Sequence, residues 1–204
     1  MTIPMLYRTQ DLRRVVTPEP ALVEVPPMNA LAVEGTGAPD LTRGHWHEAV
    51  QALYAVAYAL RSALKREGLE EKVGPLEGLW SHDPVLEPER VRWTALIVQP
   101  EAVTDERLQA CLSELRRKKG ARLPALDRVR LLRLEEGLCV QALHLGPFST
   151  EAQTLERMYA LMKQQGLEWH GDGHHEIYLS DLRRVPPERR RTVLRQPVRA
   201  VRER

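Results

Sequence analysis

The stretch His174-His175-Glu176-Ile177-Tyr178-Leu179-Ser180-Asp181 decides the fold, because the chain carries an echo of it in Pro75-Leu76-Glu77-Gly78-Leu79-Trp80-Ser81-His82-Asp83. Both place a glutamate in an apolar, strand-like run, then an aromatic residue, then Ser and a nearby Asp. Each is followed by a strand ending in Gln-Pro: Ile97-Val98-Gln99-Pro100 and Leu194-Arg195-Gln196-Pro197. Each is preceded by a strand that ends in glycine and opens into a helix. Such self-similarity predicts a duplicated module. Two glutamates, Glu77 and Glu176, facing each other across a pseudo-symmetric cleft would form a binding or catalytic site.

Working outward, helices stand out first. Ala49, Leu53, Val56, Leu60 and Leu64 recur at helical spacing between His45 and Glu67, and Gly68 ends the run. Thr104 is a good N-cap for a helix through Lys119, with Asp105 and Glu106 in its first turn and Arg116 to Lys119 in its last. Ser149 or Thr150 caps a third helix through Gln165, with Leu155, Met158, Tyr159 and Met162 on its apolar side. Strands are predicted at Ala21 to Val25, Asn29 to Glu34, Pro75 to Trp80, Val91 to Val98, Val129 to Leu134, Leu138 to Leu145, His175 to Leu179 and Thr192 to Val198. Pro26-Pro27 splits the first two, the turn-rich segment Ser81-His82-Asp83-Pro84 joins the third and fourth, and Pro187 to Arg191 reads as a helical turn.

The order is strand, helix, strand, strand, twice over. Short loops make the sheets antiparallel. The expected fold is α+β, two tandem strand-helix-strand-strand modules with antiparallel sheets forming the ligand cleft. Residues 1–20 read as an N-terminal arm, about 21–100 as module one, about 104–120 as the connecting helix, about 127–199 as module two and 200–204 as a basic tail.

Composition narrows the function classes. Hydrophobic content of 43% and charged content of 28% are those of a globular chain. No apolar run approaches the roughly 20 residues of a membrane span. The N-terminus lacks a basic region followed by an apolar one, so the expected location is cytoplasmic. A net charge of +2 argues against nucleic acid as partner, although Arg183, Arg184, Arg189 to Arg191, Arg195, Arg199, Arg202 and Arg204 form a basic stripe, read as solvated surface. Cys111 and Cys139 are read as small core hydrophobes. No glycine-rich phosphate loop and no nucleophile elbow occur, so no cofactor is implied.

Four segments resemble the gyrase-inhibitor-like (GyrI-like) small-molecule-binding family: Pro75 to Trp80, Arg92-Trp93-Thr94, His144-Leu145-Gly146-Pro147-Phe148 and His174 to Asp181. The resemblance runs from about Leu12 to Arg199. It implies two strand-helix-strand-strand modules with a ligand cleft between them. Relatives serve as effector domains of drug-sensing regulators, in which a buried glutamate among aromatic residues attracts cationic aromatic ligands. Others are hydrolases that open the cyclopropane of DNA-alkylating natural products. Glu176 matches the family's glutamate; Trp80, Trp93 and Tyr178 match aromatic positions. Ser81 and Leu182 depart from the family pattern, which often has an aromatic residue and a proline there. The first 20 residues are too few for a helix-turn-helix module, so direct DNA binding is not expected.

The site follows from these residues. Buried, Glu176 would either have its pKa raised and serve as a general base, or stay charged and select a cation with help from aromatic faces. Tyr178 is the candidate donor to a developing oxyanion, and Trp80 and Trp93 would hold an aromatic body. Glu77 is the symmetry partner of Glu176, and the pair would titrate together if close. Tyr54 and Tyr58 share a helix face, lining the pocket or edging the core. His174 shares a strand face with Glu176 and His175 does not, so a metal site is not expected. The chain is thus expected to bind hydrophobic aromatic compounds, cations among them. The alternatives are a cyclopropane-opening hydrolase using Glu176, and a protein partner such as a topoisomerase, for which only the resemblance speaks.

Overall fold

A computed structural model describes residues 17–70, 72–81, 91–171 and 173–201. The N-terminal arm up to residue 16, the turn at His82-Asp83-Pro84 and the end of the basic tail lie outside the described residues. In chain order the elements are β1 (Ala21–Val25), β2 (Met28–Thr36), α1 (Gly44–Arg66), β3 (Glu77–Trp80), β4 (Arg92–Gln99), α2 (Asp105–Lys119), β5 (Arg130–Leu134), β6 (Gly137–Leu145), α3 (Glu151–Gln164), β7 (Leu167–Trp169), β8 (His174–Tyr178) and β9 (Arg191–Ala200). The class is α+β. Among the described residues no helix is long and apolar enough to cross a membrane.

The chain forms two compact units. Met28–Leu134 is one, here the central unit; Met1–Pro27 with Glu135–Arg204 is the other, the terminal unit. In the central unit β4 pairs with both β3 and β2, and β2 pairs on its far side with β5. In the terminal unit β9 pairs with both β8 and β6, and β6 pairs on its far side with β1. Every one of these pairings is antiparallel. The strand orders β3-β4-β2-β5 and β8-β9-β6-β1 are therefore the same, and a helix follows the corresponding strand, β2 or β6, in each. The hairpins also close alike. The Arg92 amide donates to the Ser81 hydroxyl at 2.9 Å, and the Arg191 amide to the Ser180 hydroxyl at 3.0 Å.

Local chemistry accounts for the helices. Trp46, Ala49, Leu53, Val56, Leu60 and Leu64 form the buried stripe of α1, and Gly68 at φ +84 lets the chain turn away. The Thr104 side chain accepts from the Arg107 amide at the start of α2, whose charged ends suit its dipole. Helix α3 differs from expectation at both its start and its face. Thr150 makes no side-chain cap, because its hydroxyl donates to the Pro147 carbonyl at 2.8 Å and Phe148–Thr150 already form a tight helical turn. Met158 and Met162 are buried, but Tyr159 is exposed and packs on Trp169, 6.0 Å between rings.

Each helix covers one face of its sheet. In the terminal unit Met158 and Met162 of α3 pack on Val140, Ala142, Leu194 and Val198. In the central unit Trp46 of α1 lies 4.8 Å from Trp80 and 5.0 Å from Trp93, ring to ring. Trp93 donates its indole N–H to the Gly37 carbonyl at 3.1 Å and lies over Gly35 on the neighbouring strand. A Cβ at Gly35 would fall inside the Trp93 ring. Gly35→Ala is expected to destabilise the fold by about 1–3 kcal/mol through overpacking. Urea unfolding followed by tryptophan fluorescence measures it, and an unchanged midpoint would show that the indole shifts freely.

Candidate functional site

Strand parity places the candidate residues. On β8, Glu176 lies opposite Leu194 and Tyr178 opposite Thr192, which in turn lies opposite His144 on β6. Because Leu194 packs under α3, Glu176 and Tyr178 belong to the helix-covered face. Glu176 is 5% exposed and Tyr178 6%. The His174 imidazole lies on the same face, its Nε2 2.9 Å from Glu176 Oε1. Gln196, opposite the start of β8, donates its side-chain amide to the Gly173 carbonyl at 3.2 Å and anchors that start.

Aromatic residues continue this surface. The Phe148 ring meets Tyr178 edge-on at 6.0 Å, and the Arg190 guanidinium sits over Phe148 at 5.3 Å from its centre. Arg190 Nη2 also donates to the Leu182 carbonyl at 3.2 Å. Phe148 was legible only as part of the His144-to-Phe148 motif, and its contact with Tyr178 could not be read from spacing.

The opposite face of the same strands holds a network that the sequence concealed. His175, Arg195 and Gln141 stand side by side across β8, β9 and β6. Arg195 Nε donates to Gln141 Oε1 and Arg195 Nη1 to Glu136 Oε2, both at 2.9 Å; His175 Nδ1 lies 2.9 Å from Glu136 Oε1. All four side chains are buried. Burial alone would raise the Glu136 pKa, but His175 and Arg195 overcome it and hold the carboxyl at about 2. The buried Cys139 thiol is pushed far up by desolvation and by Glu136. Glu136 falls between two predicted strands, and Arg195 is read from sequence as solvated surface. The clue was the position of Arg195 inside the otherwise buried run Thr192 to Gln196.

In the central unit, Trp80 and Trp93 are both buried in the cluster with Trp46. Glu77 is fully buried, opposite Leu96 on the strand face away from α1. Tyr54 and Tyr58 stack at 6.2 Å off the buried stripe of α1, with Tyr58 54% exposed. The register also corrects the expected symmetry. Trp80 faces the residue after Arg92, and Tyr178 the residue after Arg191, so these two aromatics correspond. Glu77 then corresponds to His175, and Glu176 to Gly78. Leu179, between Tyr178 and Ser180, is the added residue that misaligns the two sequences by one. Among the described residues no group of three metal-ligating side chains is assembled.

The fold is an α+β domain in which a buried carboxylate, Glu176, and a buried aromatic residue, Tyr178, share one strand face. The model of the GyrI-like small molecule binding domain matches residues 18–199, and the chain belongs to that family. A hydrolase from Listeria innocua is 36% identical in sequence and superimposes with a TM-score of 0.83, the match covering 93% of this chain and 96% of that one. A second structure of a hydrolase from that organism gives 0.84 at the same identity and coverage. The C-terminal domain of EcmrR, 10% identical, has the same fold with a TM-score of 0.55 over 90% of this chain and 98% of that one. None of the curated proteins matches.

Glu136→Gln tests the buried network. Removing one partner of a buried ion pair is expected to cost about 3–5 kcal/mol. The Glu136 pKa is depressed from its ordinary 4.5 to about 2, so its contribution is full above about pH 4.5 and lost as pH falls toward 2. Chemical denaturation across that window should show wild-type stability falling more steeply than that of Glu136→Gln. Parallel slopes would mean that the carboxylate is not held by charge.

Proposed function

We propose that the chain binds hydrophobic aromatic compounds, cations among them, with Glu176 as the charged anchor and Tyr178 as the aromatic contact. The observation that supports this reading is the buried Glu176 carboxylate, hydrogen-bonded to His174, with Tyr178 on the same strand face and Phe148 edge-on to Tyr178. A carboxylate withdrawn from water gains most from a cation that brings its own apolar surface, because both partners are already poorly hydrated. Ring faces add cation–π attraction. Glu77, Trp80, Trp93, Tyr54 and Tyr58 enter as ligand contacts on the sequence argument alone.

Isothermal titration with ethidium, an aromatic cation, tests the anchor. Glu176→Gln should weaken binding by about tenfold or more, the range of a charge-assisted contact. Equal affinity in wild type and variant would remove Glu176 from the reading.

A second reading is supported by the 36% identical hydrolases of Listeria innocua. Glu176 would take a proton from water as its oxygen attacks a carbon of an electrophilic cyclopropane. The ring C–C bond breaks, its electron pair passes to the conjugated carbonyl, Tyr178 protonates the resulting oxyanion, and the proton held by Glu176 passes through solvent to the Tyr178 phenolate. The sum is addition of one water. His174 would keep the carboxylate aimed. Mass spectrometry of a cyclopropane-bearing alkylator after incubation should then find a water-added product. Loss of the general base in Glu176→Gln should slow its formation by about a hundredfold or more while binding persists. Recovery of unchanged compound would leave the binding reading alone.

A further inference from the structure

Three buried polar atoms on β9, or directly before it, have no hydrogen-bond partner among the described residues: Arg190 Nε, Thr192 Oγ1 and Gln196 Oε1. Alternate residues of a strand share a face. Leu194 and Val198, which pack under α3, mark the face to which Thr192 and Gln196 belong. Thr192 lies opposite Tyr178, and Leu194, between Thr192 and Gln196, lies opposite Glu176. Thr192 is fully buried and Gln196 is 2% exposed. Buried donors and acceptors are nearly always satisfied, whether by protein, by water or by a ligand.

The unmet atoms differ in kind along this row. The His174 end offers acceptors. Gln196 gives its amide N–H groups to the Gly173 and Pro197 carbonyls at 3.2 and 3.5 Å, which leaves Oε1 over. Glu176 is its diagonal neighbour across the strands, about 7–8 Å away. The other end offers donors. Thr192 brings a hydroxyl and Arg190 a charged N–H. Arg190 Nη2 serves the Leu182 carbonyl at 3.2 Å and the guanidinium is held over Phe148, 5.3 Å from the ring centre, so Nε is left over. Tyr178 stands between the two ends, with Phe148 edge-on to it at 6.0 Å. Glu176 and Thr192 differ by one two-residue step along the sheet, about 7 Å, and Arg190 lies a further step on. One or two linked aromatic rings span that length. Arg190 and Phe148 are half-buried, so the row reaches the surface there.

We propose that the compounds bound at Glu176 are amphoteric, with an ammonium at one end of an aromatic body and a carboxylate at the other. The inference rests on Glu176 as the cation anchor and names what lies at the far end of its ligand. Glu176 and Gln196 take the N–H donors of the ammonium, the ring lies along Tyr178, and Thr192 and Arg190 take the carboxylate. Arg190 also sets a preference. Its charge repels a cation that carries no anionic group, and burial weakens the screening between them.

Calorimetric titration of the full chain with para-aminomethylbenzoate, with its two-ring biphenyl homologue and with the methyl esters of both tests the assignment. The esters keep the ammonium and lose the carboxylate charge. The tighter-binding acid should exceed its own ester by about tenfold or more. Two variants should each weaken that acid by about three- to tenfold and leave the ester as tight as before or tighter. Arg190→Met keeps an apolar stem over Phe148, and Thr192→Val removes a hydroxyl that has no partner among the described residues, so both should keep wild-type thermal stability. The comparison of acid with ester in the wild type needs neither variant. Glu176→Gln should weaken acid and ester alike. Equal affinity for acid and ester, or equal loss of both in Arg190→Met and Thr192→Val, would overturn the proposal and leave the cation reading in place. Indifference of both compounds to Glu176→Gln would overturn the cation reading and the proposal with it. Absence of saturable binding by either acid would overturn the proposal alone, the cation reading then being decided by ethidium.

Discussion

One carboxylate, Glu136, sets the parity of three strands. It precedes β6, yet it reaches Arg195 on β9 and His175 on β8 through separate oxygens. Arg195 in turn grips Gln141 on β6. A one-residue slip in any of these strands would turn its member of the row to the helix side and leave buried charge without its partner. The same slip would bury Ile177 where Glu176 now stands. The placement of Glu176 and Tyr178 beneath α3 is therefore tied to an ion pair that neither residue touches. Replacing buried ion pairs by apolar side chains of like volume is often neutral or stabilising. We therefore read the contribution of this network as register rather than net stability.

The central unit uses the same strand order with different contents. Where the terminal unit has His175, Arg195 and Gln141, it has Glu77, Leu96 and Ala32 by register. On the helix side it replaces His144, Thr192 and Tyr178 with Gly35, Trp93 and Trp80. Aromatic bulk on two strands is accommodated by a glycine on the third. One strand order thus carries a tryptophan core in one unit and buried polar side chains in the other, so topology and chemistry are chosen separately.

What was legible in the sequence was mostly local. Helix extents and the Thr104 cap follow from periodicity and from residues within a turn of one another, and they are found close to where the sequence places them. Strand existence was legible for the same reason. Pairing was not. Val129 to Leu134 and Leu138 to Leu145 flank a short turn and read as neighbours, yet β5 pairs with β2, and β6 with β1 and β9. Partner choice depends on residues far apart in the chain, which a local pattern does not contain. The three-residue strand β7 was too short to leave a pattern. Glu176 and Tyr178 are singled out as candidates because their motif is contiguous. Phe148 and Arg190 beside Tyr178, and Glu136 and Arg195 on the opposite face, come from other elements, and charge in a sequence reads as surface unless its burial is known. The supposed symmetry of Glu77 and Glu176 failed on a single added residue, which alignment by eye absorbs and a strand register does not.

The interleaved connectivity has a consequence for how the chain is made. Strand β1 leaves the ribosome before the central unit, but its partner β6 follows only after the whole central unit has been synthesised. The central unit holds all its own strands and can complete itself early, whereas the terminal unit must wait with one edge unpaired. The nascent protein thus carries an apolar segment, Ala21–Val25, in search of a sheet while a finished sheet stands beside it. Pro26-Pro27 follows directly, and proline cannot donate to a ladder. That pair ends the ladder of the early strand at Val25, so what the strand offers to any partner is five residues long.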